Sequence, residues 1–157
     1  MLNSASDPVP GSDRTGVPEG GPAGPAIVRA SGAGTAVFVV ASAVAVVDDG
    51  APRAAAVAVD LCLFVLGCVA FLWAFAVALE RSRSAAIGIG GLYFLAGCAP
   101  PSIRRRLMGL LALQTLVGVA AASVAPYTAV AASVLVPVYG LGLAGLWGAH
   151  HGRFEDR

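Results

Sequence analysis

A single charged side chain interrupts a long apolar run in this sequence. Asp60 lies within residues 54–79, which otherwise hold no Asp, Glu, Lys or Arg. A carboxylate inside a membrane-spanning helix is a candidate for handling a proton or a cation, or for pairing with an Arg of a partner. As a helix the run would be about 39 Å long, against about 30 Å of hydrocarbon, so Asp60 could instead lie at the membrane interface or serve a structural role.

A second polar side chain, Gln114, lies midway along another apolar run, residues 107–125. Its amide is expected to hydrogen-bond across helices, and Asp60 is one candidate partner. Such bonds contribute only about 1 kcal/mol in lipid, which favours a role in joining helices. Asp60 and Gln114 together are the candidate intramembrane polar site.

The cysteines and histidines form no recognisable metal or disulfide pattern. Cys62, Cys68 and Cys98 lie in apolar stretches without Cys-x-x-Cys spacing, and we expect them to act as small apolar side chains. His150 and His151 are adjacent, so they would not share a face of a helix, and we expect a solvated tail there. The sequence therefore predicts neither a metal site nor a bound cofactor.

Three glycines have the spacing of a nucleotide-binding motif. Gly140, Gly142 and Gly145 match the dinucleotide fingerprint, but that motif needs a preceding strand and an aqueous crevice, whereas these residues lie in an apolar run. No serine or cysteine nucleophile has a histidine base beside it in the sequence. We therefore expect a protein that is not an enzyme and has no catalytic or cofactor-binding residues.

Small residues recur at four-residue intervals and would form shallow grooves along helices. In lipid, helices associate by close approach of their backbones, which small side chains permit. These positions are candidates for packing within the chain or for an interface with another subunit. They are Gly118 and Ala122 in one run, Gly140, Ala144 and Gly148 in another, and Ala70, Ala74 and Ala78 in a third.

The composition places these residues in a membrane. Of the 157 residues, 57% are hydrophobic and only 12% are charged, and the mean hydropathy is +0.80. These values exclude an ordinary water-soluble globular protein. The net charge is +1, so the chain cannot assemble the basic surface that binding to nucleic acid requires.

Four apolar runs are long enough to cross a bilayer as helices. They cover residues 30–47, 54–79, 107–125 and 128–149. Asp48 and Asp49 predict an exposed turn after the first run. Pro137 predicts a kink in the fourth, because it cannot donate a hydrogen bond to the carbonyl of Ser133. The predicted fold class is an all-α integral membrane protein with four transmembrane helices.

The ends of the chain are predicted to lie outside the bilayer. Residues 1–29 are rich in Pro and Gly and can neither propagate a helix nor form a core, so we expect a disordered cytoplasmic tail. Residues 150–157 are polar and are expected to form a second cytoplasmic tail. The four-helix transmembrane domain then covers residues 30–149.

The distribution of arginines predicts how the chain is oriented. The segment 85–103, between the second and third spans, is Gly-rich, short and poorly helical. If it does not cross the bilayer, nine of the ten arginines lie on one side and only Arg53 on the other. This arrangement is favoured because Arg near the ends of spans is retained on the cytoplasmic side. We therefore expect a re-entrant or interfacial segment, and both termini in the cytoplasm of a bacterial inner membrane. The cytoplasmic basic loop then holds Arg81, Arg83, Arg104, Arg105 and Arg106.

The end of the chain resembles a known kind of protein. Residues 135–154, with the sequence LVPVYGLGLAGLWGAHHGRF, resemble the end of small uncharacterised multi-pass membrane proteins from GC-rich bacteria. Residues 92–97 and the Arg triplet at 104–106 extend the resemblance less clearly, to about a third of the chain. The resemblance implies a multi-pass architecture and no particular activity.

Two functional hypotheses follow from these features. The first is a non-enzymatic accessory or assembly subunit of a membrane complex, which packs against another membrane protein or a copy of itself and offers its basic loop to a partner or to anionic lipid headgroups. The second is a small homo-oligomeric transporter or channel whose pathway is lined by Asp60 and Gln114. A membrane enzyme fits less well, because the spans lack the polar residues that chemistry needs.

Overall fold

The structure is a computed structural model that describes residues 23–47, 50–82, 88–124 and 129–153. The described residues form five α-helices and one 3₁₀ helix, and none of them lies in a β-strand. The predicted all-α class is therefore confirmed. The helices are α1 (Ala23–Val47), α2 (Ala51–Arg81), α3 (Ile89–Phe94), α4 (Pro101–Val124) and α5 (Pro137–His151), with the 3₁₀ helix Ala129–Leu135 before α5.

Within the described ranges, four helical segments are long and apolar enough to cross a membrane, which confirms the predicted number of spans. They are Gly24–Val47, Ala51–Arg81, Pro101–Val124 and Ala131–His151. The fourth segment consists of the end of the 3₁₀ helix and α5. The architecture is that of a multi-pass membrane protein.

The four spans pack side by side in a bundle. α1 contacts α2 on one side and α4 on the other, and α5 closes the bundle by packing against α2 and α4. The contact between α2 and α5 is the most extensive. A Cβ at Gly67 of α2 would lie 2.5 Å from the backbone N of Tyr139, and one at Gly142 of α5 would overlap the Gly67 carbonyl O. These two glycines allow the backbones of α2 and α5 to approach closely, as in other membrane helix pairs.

The first helix begins earlier than predicted. α1 starts at Ala23, so residues 23–29 are helical and do not belong to the predicted disordered tail. Pro25 falls in the first turn of α1, where its nitrogen has no intrahelical hydrogen bond to lose. A Cβ at Gly24 would lie 3.5 Å from the indole N of Trp147, so this start lies close to α5. The rest of that tail, residues 1–22, lies outside the described residues.

The fourth span changes its type of helix at the position where a kink was predicted. A turn at Val136 follows the 3₁₀ helix, and α5 begins with Pro137. Because Pro137 has no N–H, the Ser133 carbonyl accepts a hydrogen bond from the Val136 N–H at 3.2 Å, which is the tighter 3₁₀ pattern. Proline therefore changes the type of helix here, and Val136 keeps helical dihedrals (φ −61°, ψ −32°), so the fourth span continues from the 3₁₀ helix into α5.

The end of α5 differs from the predicted tail. α5 continues through His150 and His151 and ends where Gly152 adopts an extended conformation. Arg81, at the end of α2, donates hydrogen bonds to the carbonyls of Ala149 and Gly152, the second over 3.3 Å. These bonds satisfy carbonyls that the end of a helix leaves open, so the helix extends further than the polar residue types suggest. Residues 154–157 lie outside the described residues.

Only residues 88–100 of the Gly-rich segment before α4 are described, and they contain α3 and a turn. In this turn Leu95 (φ 53) and Gly97 (φ 78) adopt left-handed backbone conformations. The Tyr93 ring stacks on Phe71 of α2 with centroids 4.3 Å apart, and its hydroxyl donates to the Phe71 carbonyl at 3.2 Å. α3 is thereby attached to α2 and packs against α5.

The third span begins before the position predicted for it. α4 starts at Pro101, so residues 101–106 are helical and the segment predicted over 85–103 ends earlier. Proline is favourable at the first position of a helix, because its fixed φ suits the helix and its missing N–H would be unpaired there. The Arg triplet, residues 104–106, therefore lies on a helix and not in a loop.

Candidate functional site in the bundle interior

Asp60 lies inside the bundle and is hydrogen-bonded to the fourth span. Its side chain is 2% exposed, and the Ser133 hydroxyl donates a hydrogen bond to Oδ2 over 2.6 Å. Ser133 lies in the 3₁₀ helix, four residues before Pro137. Asp60 is therefore enclosed by protein and does not lie on an end of α2 that protrudes from the bundle.

A second hydroxyl lies at the level of Asp60. Ala45 of α1 and Ala56 of α2 belong to one buried cluster. One turn farther into the bundle from this cluster, Ser42 on α1 and Asp60 on α2 lie at the same level, because the two helices are consecutive and antiparallel. Ser42 is only 5% exposed. This level of the interior thus contains a carboxylate and at least two hydroxyl groups.

Gln114 is hydrogen-bonded to Thr35 and not to Asp60. It is fully buried, and its Nε2 donates to Oγ1 of Thr35 over 2.7 Å. Thr35 in turn donates to a backbone carbonyl one turn earlier in α1, also over 2.7 Å. The expected pair between Gln114 and Asp60 is not formed, because the packing brings the Ser133 hydroxyl to the carboxylate and the Thr35 hydroxyl to the amide.

Polar side chains line the inner face of α1. Ser31, Thr35 and Ser42 are at most 5% exposed, and their spacing places them on one side of the helix. Phe38, fully buried, lies between Thr35 and Ser42. The row extends over about 16 Å of helix. We define the polar seam as Ser31, Thr35, Ser42, Asp60, Gln114 and Ser133.

Four atoms of the polar seam make no hydrogen bond to any described residue. They are Oδ1 of Asp60, Oε1 of Gln114 and the hydroxyl oxygens of Ser31 and Ser42. Buried polar atoms are normally paired, because an unpaired one costs about 1–3 kcal/mol. The seam thus has hydrogen-bonding capacity that its own helices do not use.

Tyr139 joins α1 and α5 beside the polar seam. Its hydroxyl donates to the Ala30 carbonyl over 2.8 Å, and its ring occupies the space that a side chain at Gly34 would take. A Cβ at Gly140 would lie 2.5 Å from Oε1 of Gln114. Glycine at both positions therefore leaves room for the polar side chains of the interior.

The small residues predicted to form grooves are used in packing within the chain. A Cβ at Gly118 would lie 2.6 Å from the Ser133 carbonyl O, and one at Gly148 would lie 2.5 Å from the Leu92 carbonyl O. These positions are occupied by this chain's own backbone. The remaining positions are buried (Ala70, Ala74, Ala78, Gly140 and Ala144) or partly buried (Ala122).

The hydroxyl groups of the polar seam were not among the candidates taken from the sequence. A signal for three of them is present, since Ser31, Thr35 and Ser42 lie on one side of an otherwise apolar helix. Ser133 has no such signal. Its position next to Asp60 depends on how the fourth span packs against α2.

The arginines of the described residues are concentrated at one end of the bundle. Arg53 lies at the other end, where its Nε donates to the Ala45 carbonyl over 3.3 Å. Of the predicted basic loop, Arg81 is bound to the end of α5, the side chains of the Arg triplet are exposed, and Arg83 lies outside the described residues. The arginines at the shared end are Arg29, Arg81, Arg104, Arg105, Arg106 and Arg153.

A cavity of about 530 Å³ lies at the same end and is lined in part by Cys98, Trp147 and His151. The rings of Trp147 and His151 stack with centroids 5.5 Å apart. The Cys98 thiol donates to a carbonyl of α3 over 2.9 Å, and burial raises the pKa of this thiol, partly offset by the nearby charge of Arg104. Among the described residues, His, Cys, Asp and Glu form no group of three or more that could hold a metal ion.

The chain matches no protein-family model, no curated protein and no solved structure.

Proposed function

We propose that the protein is a small, non-enzymatic transport protein that binds a proton or a monovalent cation at Asp60. One observation carries the proposal: a carboxylate 2% exposed, whose Oδ1 has no hydrogen bond to a described residue, lies inside a bundle of four apolar helices. Charged side chains inside a membrane mark ion or proton pathways.

The polar seam supplies groups that suit such an occupant. Ser133 holds Oδ2 of Asp60 by a hydrogen bond and leaves Oδ1 available. The Ser42 hydroxyl lies at the same level and has no hydrogen bond to a described residue. A proton or a cation on Oδ1 neutralises the carboxylate in an interior of low dielectric, where an uncompensated charge is costly.

The remainder of the polar seam gives the proposed pathway a direction. From the level of Asp60, the seam continues through Gln114, Thr35 and Ser31 toward the arginine-bearing end. The buried Phe38 ring lies between the level of Asp60 and the level of Thr35 and would separate them. Because Asp60 and Gln114 are both buried within one chain, the pathway proposed here runs through a single protomer and not between copies.

Flux into reconstituted vesicles tests this proposal. Protein in vesicles that contain a pH-sensitive dye is expected to admit protons under an imposed K⁺ diffusion potential, or to take up Na⁺ in a parallel tracer assay. Asp60→Asn, which removes the charge at nearly constant shape, should abolish this flux. Ser123→Ala, which alters an exposed hydroxyl, should retain it. Wild-type rates no faster than those of protein-free vesicles in both assays would overturn the proposal.

A second candidate function is an accessory or assembly subunit of a membrane complex. The outward face of α2 supports it, since Leu66, Leu72, Trp73 and Phe75 are 46–65% exposed. A partner helix would pack against these large side chains, because the small residues are used within the chain. The exposed Arg triplet would then face an acidic partner or anionic lipid. Purification in mild detergent tests this role: one co-migrating foreign protein supports it, and the chain alone contradicts it.

We further propose that the protein lies in a bacterial inner membrane with both termini in the cytoplasm. The grouping of six arginines at one end supports this orientation, because Arg near span ends is retained on the cytoplasmic side. The resemblance of residues 135–154 to proteins of GC-rich bacteria supports the bacterial membrane. Reporters fused after Ser102 and after Arg157 should lie in the same compartment. Opposite compartments would contradict the orientation.

A further inference from the structure

A furrow runs along the outer surface between α1 and α4 at the arginine-bearing end. It encloses about 560 Å³, a volume typical of ligand sites, and Arg29, Gly32, Arg106, Gly109 and Leu113 contribute to its lining. No atom lies within 4 Å of the position that a Cβ would take at Gly32 or at Gly109. The two glycines therefore leave the floor of the furrow open.

The lining of the furrow combines cationic and apolar groups. Arg29 and Arg106 are exposed and lie in the second turns of α1 and α4. Neither of these two helices contains an Asp or a Glu, so neither offers the guanidinium groups a carboxylate partner of its own. Deeper in the membrane, Leu113 and the neighbouring residues make the lining apolar. A ligand that fits must be anionic at one end and apolar at the other.

We propose that this furrow binds one anionic phospholipid, with its phosphate between Arg29 and Arg106 and an acyl chain along Gly32, Gly109 and Leu113. Guanidinium groups bind phosphate through strong, often bidentate hydrogen bonds. An arginine near the end of a span can keep its aliphatic stem in apolar surroundings while its head reaches the headgroup region. The site does not involve Asp60, so its failure would leave the proposed ion binding unaffected.

Native mass spectrometry of the full chain tests the furrow. The protein is released from nanodiscs that contain phosphatidylglycerol and phosphatidylcholine in equal amounts, and the retained lipid is counted. Wild-type protein should retain one phosphatidylglycerol. The double variant Arg29→Gln/Arg106→Gln should bind it about thirtyfold more weakly, as expected for two juxtamembrane cations. Gly109→Leu, which fills the furrow without changing any charge, should also lose the lipid.

The matched control removes the same charge from neighbouring positions. Arg104 and Arg105 lie at the same end of α4 but outside the furrow. The double variant Arg104→Gln/Arg105→Gln should therefore retain the phosphatidylglycerol. All variants should unfold at or above the wild-type temperature, since the arginines are exposed and Gly109 faces open space. Three outcomes would each overturn the proposal. They are an equal loss of phosphatidylglycerol binding in the two double variants, retention of phosphatidylcholine by the wild type equal to that of phosphatidylglycerol, and undiminished phosphatidylglycerol binding by Gly109→Leu.

Discussion

The Ser133 hydroxyl donates a hydrogen bond of 2.6 Å to Oδ2 of Asp60, and it thereby joins the fourth span to a buried carboxylate of α2. The bond engages only one of the two carboxylate oxygens. Because Oδ1 has no hydrogen bond to a described residue, the negative charge of the Asp60 carboxylate is only partly compensated. Gln114 also has one unpaired oxygen, so what distinguishes Asp60 from it is the negative charge that the carboxylate can carry.

Replacing Ser133 should destabilise the bundle measurably. Ser133→Ala leaves a buried acceptor without its donor, so we expect the free energy of unfolding to fall by about 1–3 kcal/mol. Denaturant unfolding in detergent micelles measures the loss. Ser123→Ala is the matched control: its hydroxyl is exposed and bonds to the Val119 carbonyl in its own helix, so the change should be below about 0.5 kcal/mol. Equal losses for both variants would contradict the assigned role.

Thr35 and Gln114 should be energetically coupled across α1 and α4. A double-mutant cycle with Thr35→Val and Gln114→Leu should give a coupling of about 1 kcal/mol, typical of hydrogen bonds between membrane helices. The same unfolding assay measures it. The matched cycle combines Thr35→Val with Thr115→Val. The exposed Thr115 hydroxyl donates to the Leu111 carbonyl in its own helix, so this cycle should show almost no coupling. A comparable coupling in both cycles would show that the measured energy does not come from the interhelical bond.

The number of spans could be predicted from the sequence, whereas the ends of the helices could not. Hydropathy over a window of helical length reports the cost of placing side chains in lipid, which decides whether a segment spans. The start of α1 instead lies close to Trp147 of α5, and the end of α5 accepts hydrogen bonds from Arg81. Such contacts join distant parts of the chain and leave no local signal.

The candidate site could be predicted only in part for the same reason. Asp60 and Gln114 are conspicuous in the sequence because they are polar residues in apolar runs. Their partners depend on how the helices pack: Ser133 donates to Asp60 of α2, while its carbonyl lies close to Gly118 of α4. Proline at position 137 predicted a disturbance of the helix, and the structure shows its form, a 3₁₀ hydrogen bond from the Val136 N–H to the Ser133 carbonyl.

Two glycines of the same helix should respond oppositely to alanine. Gly118→Ala places a Cβ 2.6 Å from the Ser133 carbonyl O, which is backbone and cannot move without displacing the 3₁₀ helix. We expect a loss of about 1–3 kcal/mol, as for other overpacked positions. Gly109→Ala meets no atom within 4 Å and should be neutral or stabilising by up to about 1 kcal/mol, because alanine favours the helix. Similar destabilisation by both substitutions would contradict the close packing at Gly118.

Alkylation of Cys98 should require a higher pH than alkylation of a free cysteine. Burial raises the pKa of this thiol, so in a Cys62→Ala/Cys68→Ala background its reaction with N-ethylmaleimide should be slow at neutral pH. The rate should increase only at a pH above the range in which a free cysteine forms its thiolate. Arg104→Gln removes a charge that favours the thiolate, so it should move the profile to still higher pH. A profile that coincides with that of a free cysteine would contradict the burial of the thiol.

Removing the Arg81 side-chain charge should loosen the end of α5. Arg81 donates to the carbonyls of Ala149 and Gly152, and hydrogen bonds from charged donors contribute about 1.5–3 kcal/mol when they are well formed. In Arg81→Met, hydrogen exchange at the Gly152 and Arg153 amides should therefore accelerate about tenfold or more, since 1.4 kcal/mol corresponds to a factor of ten.

Arg105→Met is the matched control for this end of the bundle. Its Nε donates to the Pro101 carbonyl within its own helix, so its loss should leave exchange at Gly152 and Arg153 unchanged. Exchange that is the same in Arg81→Met and the wild type would show that α5 does not depend on the end of α2. Slower exchange in Arg81→Met than in the wild type would likewise exclude the assigned role, because the end of α5 would then be more stable without the Arg81 bonds.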